Sequence, residues 1–175
     1  MLQGLFSVDY ISPEVQQSLK PGFVVRPLHS DDYEKGFLDT LGMLTTVGQM
    51  SKGQFMERYS YLKAHNYEYF TIVIEDTVKA KIIGAGTIFV ERKFVHSNGL
   101  VGHIEDIVTH SDYRGMNLGR LVIDTLKYIG KRTGCYKMDC SDKNIPFYIK
   151  CGFTQKEHEM ALYIPENDAP HAAKL

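Results

Sequence analysis

The sequence predicts an α/β domain of the α+β kind, with a mixed, mostly antiparallel central sheet flanked by helices. Three observations predict it. Runs of strand and helix character follow one another in the order β-α-α-β-β-β-α-β-α-β, which is neither strict βα alternation nor an all-β pattern. The strand-like runs 69–75 and 82–92 are separated only by residues 76–81, a hairpin spacing. A strand, a glycine-bearing turn and an amphipathic helix meet at Arg114-Gly115-Met116-Asn117-Leu118-Gly119-Arg120.

Taken in order, residues 1–22 read as an N-terminal extension. Ser12 caps a short helix there, with Pro13 in its first turn, and Lys20-Pro21-Gly22 breaks the chain. Residues 23–26 form a first strand, and Ser30-Asp31-Asp32 caps a helix running to about Leu41. Ser51 with Gln54 makes a capping box ahead of a helix over 55–64. The β-branched and aromatic run 69–75 is a strand, and 82–92 pairs with it. Gly84 and Gly86 inside that second strand mark a bulge or a close backbone approach. Asn98-Gly99 turns the chain into a strand over 103–109. In the helix 118–133, Leu118, Leu121, Val122, Leu126 and Ile129 share one face, and Gly134 ends it. A short strand at 136–140, a helix around Phe147, Tyr148 and Ile149 ended by Gly152, and a last strand over 160–164 follow. The domain thus spans 23–165, and 166–175 is a polar tail.

Composition narrows the class. A chain of 175 residues, 43% of them hydrophobic, suits one domain with its own core. A formal net charge of −1 implies no broad basic face, so nucleic acid is not an expected partner. No apolar run reaches the length of a membrane span, and the first ten residues lack the pattern of a signal peptide. Cys135, Cys140 and Cys151 show no zinc spacing and leave one thiol over in any disulfide scheme. A reducing, cytoplasmic setting and no metal are therefore expected. Cys140 reads as a small core residue.

The turn 114–120 carries the chemistry. Backbone N–H groups at a helix start, with the positive end of the helix dipole, make an anion site. Gly115 and Gly119 let the main chain approach a phosphate. Neither G-x-x-x-x-G-K-[ST] nor G-x-G-x-x-G is present, which excludes the P-loop and dinucleotide patterns. The turn resembles the pyrophosphate loop of the GNAT acetyltransferases, Q/R-x-x-G-x-G/A, with Asn117 in place of the middle glycine. Taken alone it is equally compatible with an ordinary β-turn-α connection.

Further segments extend the resemblance. They are Leu44-Thr45-Thr46-Val47-Gly48, Glu91-Arg92-Lys93, Gly102-His103-Ile104-Glu105-Asp106-Ile107, Gly134-Cys135-Tyr136-Lys137, and residues 144–153, Asn-Ile-Pro-Phe-Tyr-Ile-Lys-Cys-Gly-Phe. Over residues 23–160 the chain resembles the eukaryotic glucosamine-6-phosphate N-acetyltransferases, a branch of the GNAT superfamily. That resemblance implies a GNAT fold, acetyl-CoA as donor, glucosamine 6-phosphate as acceptor, and an intertwined homodimer with its sites near the interface. The product would be N-acetylglucosamine 6-phosphate, on the route to UDP-N-acetylglucosamine.

The resemblance also implies roles. Ile107, Val108 and Thr109 would offer backbone N–H groups to the thioester oxygen and the pantetheine amides. Arg114, Gly115, Met116, Asn117, Leu118, Gly119 and Arg120 would hold the pyrophosphate, and Asn144 would also touch the cofactor. Tyr148 would protonate the departing sulfur, although a tyrosine there is otherwise an aromatic anchor. Glu105, Asp106 and Ile107 would line the sugar site, with Glu105 relaying a proton through water and Asp139 positioning or deprotonating the amine. Lys93, Phe94, Val95, His96, Tyr136 and Lys137 would surround the acceptor, with Thr45 from the first helical region. Arg92 is a further cation for its phosphate.

Two departures stand out. The strand between Lys137 and Asp139 is two residues shorter than the family pattern. An even deletion keeps the face of Asp139 but moves it about 7 Å along the strand. Tyr163 occupies the place of an arginine that reaches the acceptor phosphate across the dimer, which removes a charge. Glu105 and Asp106, as strand neighbours, are expected to point to opposite faces. Two other functions stay open: a degenerate paralogue that binds CoA with little turnover, and a GNAT enzyme acting on a different amine.

Overall fold

In the computed structural model, which describes residues 4–141, 144–156 and 160–162, the chain forms two compact units, 1–140 and 141–175. The first holds a five-stranded sheet in the order β1 (Phe23–Pro27), β2 (Tyr69–Asp76), β3 (Lys81–Arg92), β4 (Leu100–Thr109), β5 (Cys135–Cys140). The first three pairings are antiparallel and β4 with β5 is parallel. A parallel neighbour needs a crossover, and α5 (Leu118–Thr133) supplies it.

β2 is buried along nearly its whole length, so both faces of the sheet centre are covered. The core contains Ile72, Ile74, Ile82, Ile83, Ile88, Ile104, Ile123, Leu126 and Ile129, each 2% exposed or less. Burial of each such side chain contributes about 1.5–3 kcal/mol before chain entropy is counted. Leu118, Val122, Leu126 and Ile129 of α5 are buried as the periodicity expects, and Gly134 ends the helix with φ +90°. A Cβ on Gly86 would lie 2.6 Å from Val122 Cγ1 and 2.7 Å from Ile107 Cδ1, so this glycine lets α5 seat against β3.

Residues 4–22 are more than an appendage. Leu5, Phe6, Ile11, Val15 and Leu19 are buried. The Leu5 N–H donates to the Leu28 carbonyl at 2.9 Å, and Phe6 packs edge-on to Phe70 at 5.0 Å. Helix α1 (Pro13–Ser18) starts as expected, with Ser12 accepting from the Val15 N–H. Helix α3 (Lys52–Ala64) carries both bonds of the Ser51–Gln54 capping box.

The helix expected from Ser30 to Leu41 is a correction. Residues 31–36 form turns, and α2 covers only Phe37–Leu41, behind Gly36 at φ +78°. The Asp32 carboxylate does accept the His29 N–H at 2.7 Å, but it is also drawn into the core to meet Arg26 at 2.7 Å. Of the last expected strand, residues 160–162 carry no strand, and Tyr163 and Ile164 lie outside the described residues. Between β3 and β4, α4 (Val95–Asn98) is one irregular turn, left-handed at His96, Ser97 and Asn98 (φ 52°, 57° and 60°). Each such residue costs roughly 1–2 kcal/mol.

Candidate active site

β4 and β5 part company midway. Their ladder ends at Ile104 opposite Cys140. From Glu105 to Thr109 the outer edge of β4 has no strand partner among the described residues. Half of the backbone groups in such a stretch face that edge, which makes it a template for an extended ligand. Ile107, Val108 and Thr109 lie there.

A bulge shapes this edge. Thr87 faces Glu105 and Ala85 faces Val108, so Gly86 alone opposes Asp106 and Ile107. The bulged Asp106 has φ +55°. The extra residue of the bulge interrupts the regular alternation expected for Glu105 and Asp106. The protein packed around the Asp106 carboxyl removes water from it and raises its pKa above the ordinary value.

The anion cradle adjoins the open edge in sequence. The His110 N–H donates to the Ile83 carbonyl at 2.9 Å, and its ring nitrogen accepts the Asp112 N–H at 3.2 Å. A 3-10 turn, Ser111–Tyr113, follows. Arg114 and Met116 come next, with Gly115 at φ +78° and Asn117 at φ +59°. Asparagine is the L-residue type that best tolerates this left-handed region, so the missing middle glycine costs little. The Asn117 side chain makes no capping hydrogen bond at the start of α5. The N–H groups of its first turn, including those of Leu118 and Gly119, and a dipole built over 16 residues are therefore directed at this loop. Arg120 is tied back to Asp124 at 2.9 Å.

A charged ladder crosses the sheet. The His103 ring contacts Asp139 through Nδ1 at 2.6 Å and Glu91 through Nε2 at 2.9 Å. Lys93 reaches Glu91 at 2.6 Å, and Lys137 reaches Asp139 at 3.1 Å. The hydrogen bond from Lys93, then that from His103, hold the Glu91 carboxyl below its ordinary pKa. Thus Lys93, Lys137 and Asp139 come together through two residues that sequence reasoning did not assign to the site, Glu91 and His103. The signal was present: His103 lies two residues before Glu105, and alternate strand residues share a face.

Asp139 stands opposite His103, two residues before Glu105 on β4. That offset is about 7 Å along the strand.

The tip between β3 and β4 carries Phe94 and Val95, 98% and 61% exposed. His96 lies against the ring of Tyr136 at 4.4 Å. Arg92 pairs with Glu68 at 3.7 Å. Thr45 is exposed in the segment after α2, with its N–H donating to the Leu41 carbonyl. Met43 of the same segment accepts the Ser111 N–H through its sulfur at 3.3 Å.

In the unit 141–175, Asn144 precedes α6 (Ile145–Lys150), and its carbonyl accepts the N–H groups of Phe147 and Tyr148. The ring of Tyr148 packs edge-on against Phe147 at 5.2 Å and Phe153 at 5.8 Å.

Residues 29–153 match the acetyltransferase (GNAT) family. The chain is 46% identical over 146 residues to glucosamine 6-phosphate N-acetyltransferase 1 of Dictyostelium discoideum, covering 82% of this chain and 92% of that one. It is 38% identical over 144 residues to glucosamine 6-phosphate N-acetyltransferase of Candida albicans, covering 81% and 96%. The crystal structure of glucosamine-6-phosphate N-acetyltransferase from Arabidopsis thaliana superposes with a TM-score of 0.78 at 37% identity, covering 82% of this chain and 99% of that one.

Proposed function

Because this chain belongs to the acetyltransferase (GNAT) family, we propose that it transfers the acetyl group of acetyl-CoA to the amine of glucosamine 6-phosphate, giving N-acetylglucosamine 6-phosphate. The observation that carries the proposal is the open edge of β4 beyond Ile104, which runs through His110 and the turn Ser111–Tyr113 into the start of α5. An extended pantetheine needs the first and a pyrophosphate needs the second. The identity of the acceptor rests on the named relatives.

In this reading, residues 114–120 bind the pyrophosphate, and backbone N–H groups among Ile107, Val108 and Thr109 hold the thioester oxygen as charge develops on it. The neutral sugar amine attacks the thioester carbon. Its proton leaves by way of Glu105 and water, and Tyr148 protonates the departing CoA sulfur. Lys93, His96, Tyr136 and Lys137 frame the phosphorylated sugar. Lys137 is a cation whose carboxylate partner is 35% exposed, so an incoming phosphate competes for it without a large desolvation cost. We also read the protein as a cytoplasmic homodimer; the family resemblance supports this.

CoA-thiol release with acetyl-CoA is the direct test, comparing glucosamine 6-phosphate, glucosamine and no acceptor. Release confined to the phosphorylated sugar is expected. Equal use of both sugars would overturn the assignment of the acceptor. One observation favours a second reading: Asp139 sits opposite His103 rather than Glu105 and is held by His103 and Lys137. If that arrangement does not support turnover, the chain is a CoA-binding relative without activity, and the assay shows bound acetyl-CoA with no thiol released.

A further inference from the structure

We infer that Asp76 and Tyr113 form a clamp that fixes the orientation of the pyrophosphate loop, making both positioning residues for acetyl-CoA; the inference rests on the acetyl-CoA reading above. Tyr113 is the residue immediately before Arg114 and is 5% exposed. Its hydroxyl donates to Asp76 Oδ2 at 2.8 Å, in a bond buried between residues 37 positions apart. Asp76 ends β2. Its other oxygen accepts the N–H groups of Val78 and Lys79, each at 3.1 Å. The carboxylate therefore cannot rotate away from Tyr113 without giving up the β2–β3 turn. That turn is itself fixed to the chain before β1, because the Thr77 N–H donates to the Gly22 carbonyl at 2.8 Å.

The Tyr113 ring is held on several sides. Phe23 meets it at 5.8 Å, His110 edge-on at 5.8 Å, and Lys79 Nζ lies 5.2 Å from its centre. The loop that follows has little restraint of its own. A Cβ on Gly115 would meet nothing within 4 Å, and Gly115 and Asn117 both have positive φ. The direction in which the loop leaves the sheet is thus set at Tyr113. Without its hydroxyl the turn Ser111–Tyr113 loosens, and the N–H groups must be gathered when the ligand binds. Ordering on binding lowers affinity. The thioester and the acceptor meet β4 and the ladder instead, so their steps are spared.

The test uses Tyr113→Phe, which keeps the ring, Asp76→Asn, which keeps the shape of the carboxylate, and the double variant. CoA binding is measured by calorimetry, turnover by thiol release, and backbone exchange over residues 111–120 by mass spectrometry. Each single variant is expected to raise the Kd for CoA and the KM for acetyl-CoA about fivefold to tenfold, with no further rise in the double variant. The kcat and the KM for the acceptor stay within about twofold, and exchange in the loop quickens. Unchanged CoA affinity in variants of a wild type that binds CoA would overturn the clamp alone, as would a fall in Tm without a change in Kd. A wild type that does not bind CoA would overturn the acetyl-CoA reading, and the clamp with it.

Discussion

His103 faces Asp139 across the β4–β5 ladder. It binds Asp139 and Glu91 at once; Lys93 meets the same Glu91 oxygen, and Lys137 meets the other oxygen of Asp139. Glu105 lies one strand repeat further on, opposite Thr87 and next to the bulge. On the proposed reading, proton removal from the amine falls to Glu105, with Asp139 acting through His103. Glu105→Gln is expected to lower kcat about 100-fold with the Kd for CoA unchanged, and Asp139→Asn to lower it by about tenfold or less. Steady-state kinetics with calorimetric CoA titration checks both. A larger loss in Asp139→Asn than in Glu105→Gln would reverse the two roles.

At the scale of elements, the bulge and the helix packing are one device. Gly86 faces two residues of β4 and also leaves room for Val122 of α5. A side chain at Gly86 meets the helix on one side and Ile107 on the other, and neither is the free end of a flexible chain at the surface. Gly86→Val is expected to destabilise the protein by about 3 kcal/mol or more, read as a lower urea midpoint at constant m. It should also weaken CoA binding, because Ile107 shifts at the open edge. Full stability in that variant would show that α5 can retreat without cost. The left-handed turn at His96, Ser97 and Asn98 is the other strained element. It sits at the exposed tip that carries the candidate acceptor residues, where strain is commonly placed to hold a site in shape.

A charge network braces the β1–β2 end of the sheet. Arg26 meets Asp32 at 2.7 Å and Glu75 at 2.6 Å, and Lys35 meets Glu75 at 3.0 Å. Burial pushes the Glu75 pKa up, but hydrogen bonds from Arg26 and Lys35 outweigh it and leave the group below its ordinary 4.5. A carboxyl depressed on folding stabilises the native state above the unfolded pKa, and that stability is lost as pH falls through the folded value. Thermal stability should therefore decline as pH drops below about 5. Glu75→Gln should lower Tm by about 5 °C at pH 7 and flatten the acid limb, because Arg26 keeps only Asp32. An acid limb as steep as that of the wild type would assign the dependence to other carboxylates.

Much of this was legible in the chain. The period of α5, the capping box of α3, the Ser12 cap and the glycine at the bulge are local signals, and local backbone preference decides them. The glycine-bearing turn ahead of α5 was equally readable. The break in the helix expected from Ser30 was not, because it depends on Arg26, a strand residue that draws Asp32 inward. Nor was the partnership of Asp139 with His103 and Glu91, or that of Tyr113 with Asp76. Each joins residues at least 12 positions apart whose meeting is set by strand register and sheet order. By itself the sequence determined the fold class, through periodicity and turn chemistry, and the family, through the segments that carry the resemblance. Only the tertiary structure decided which carboxylate stands beside which strand and what holds the loop in place, because a register is fixed by packing across the sheet and not by any stretch of chain.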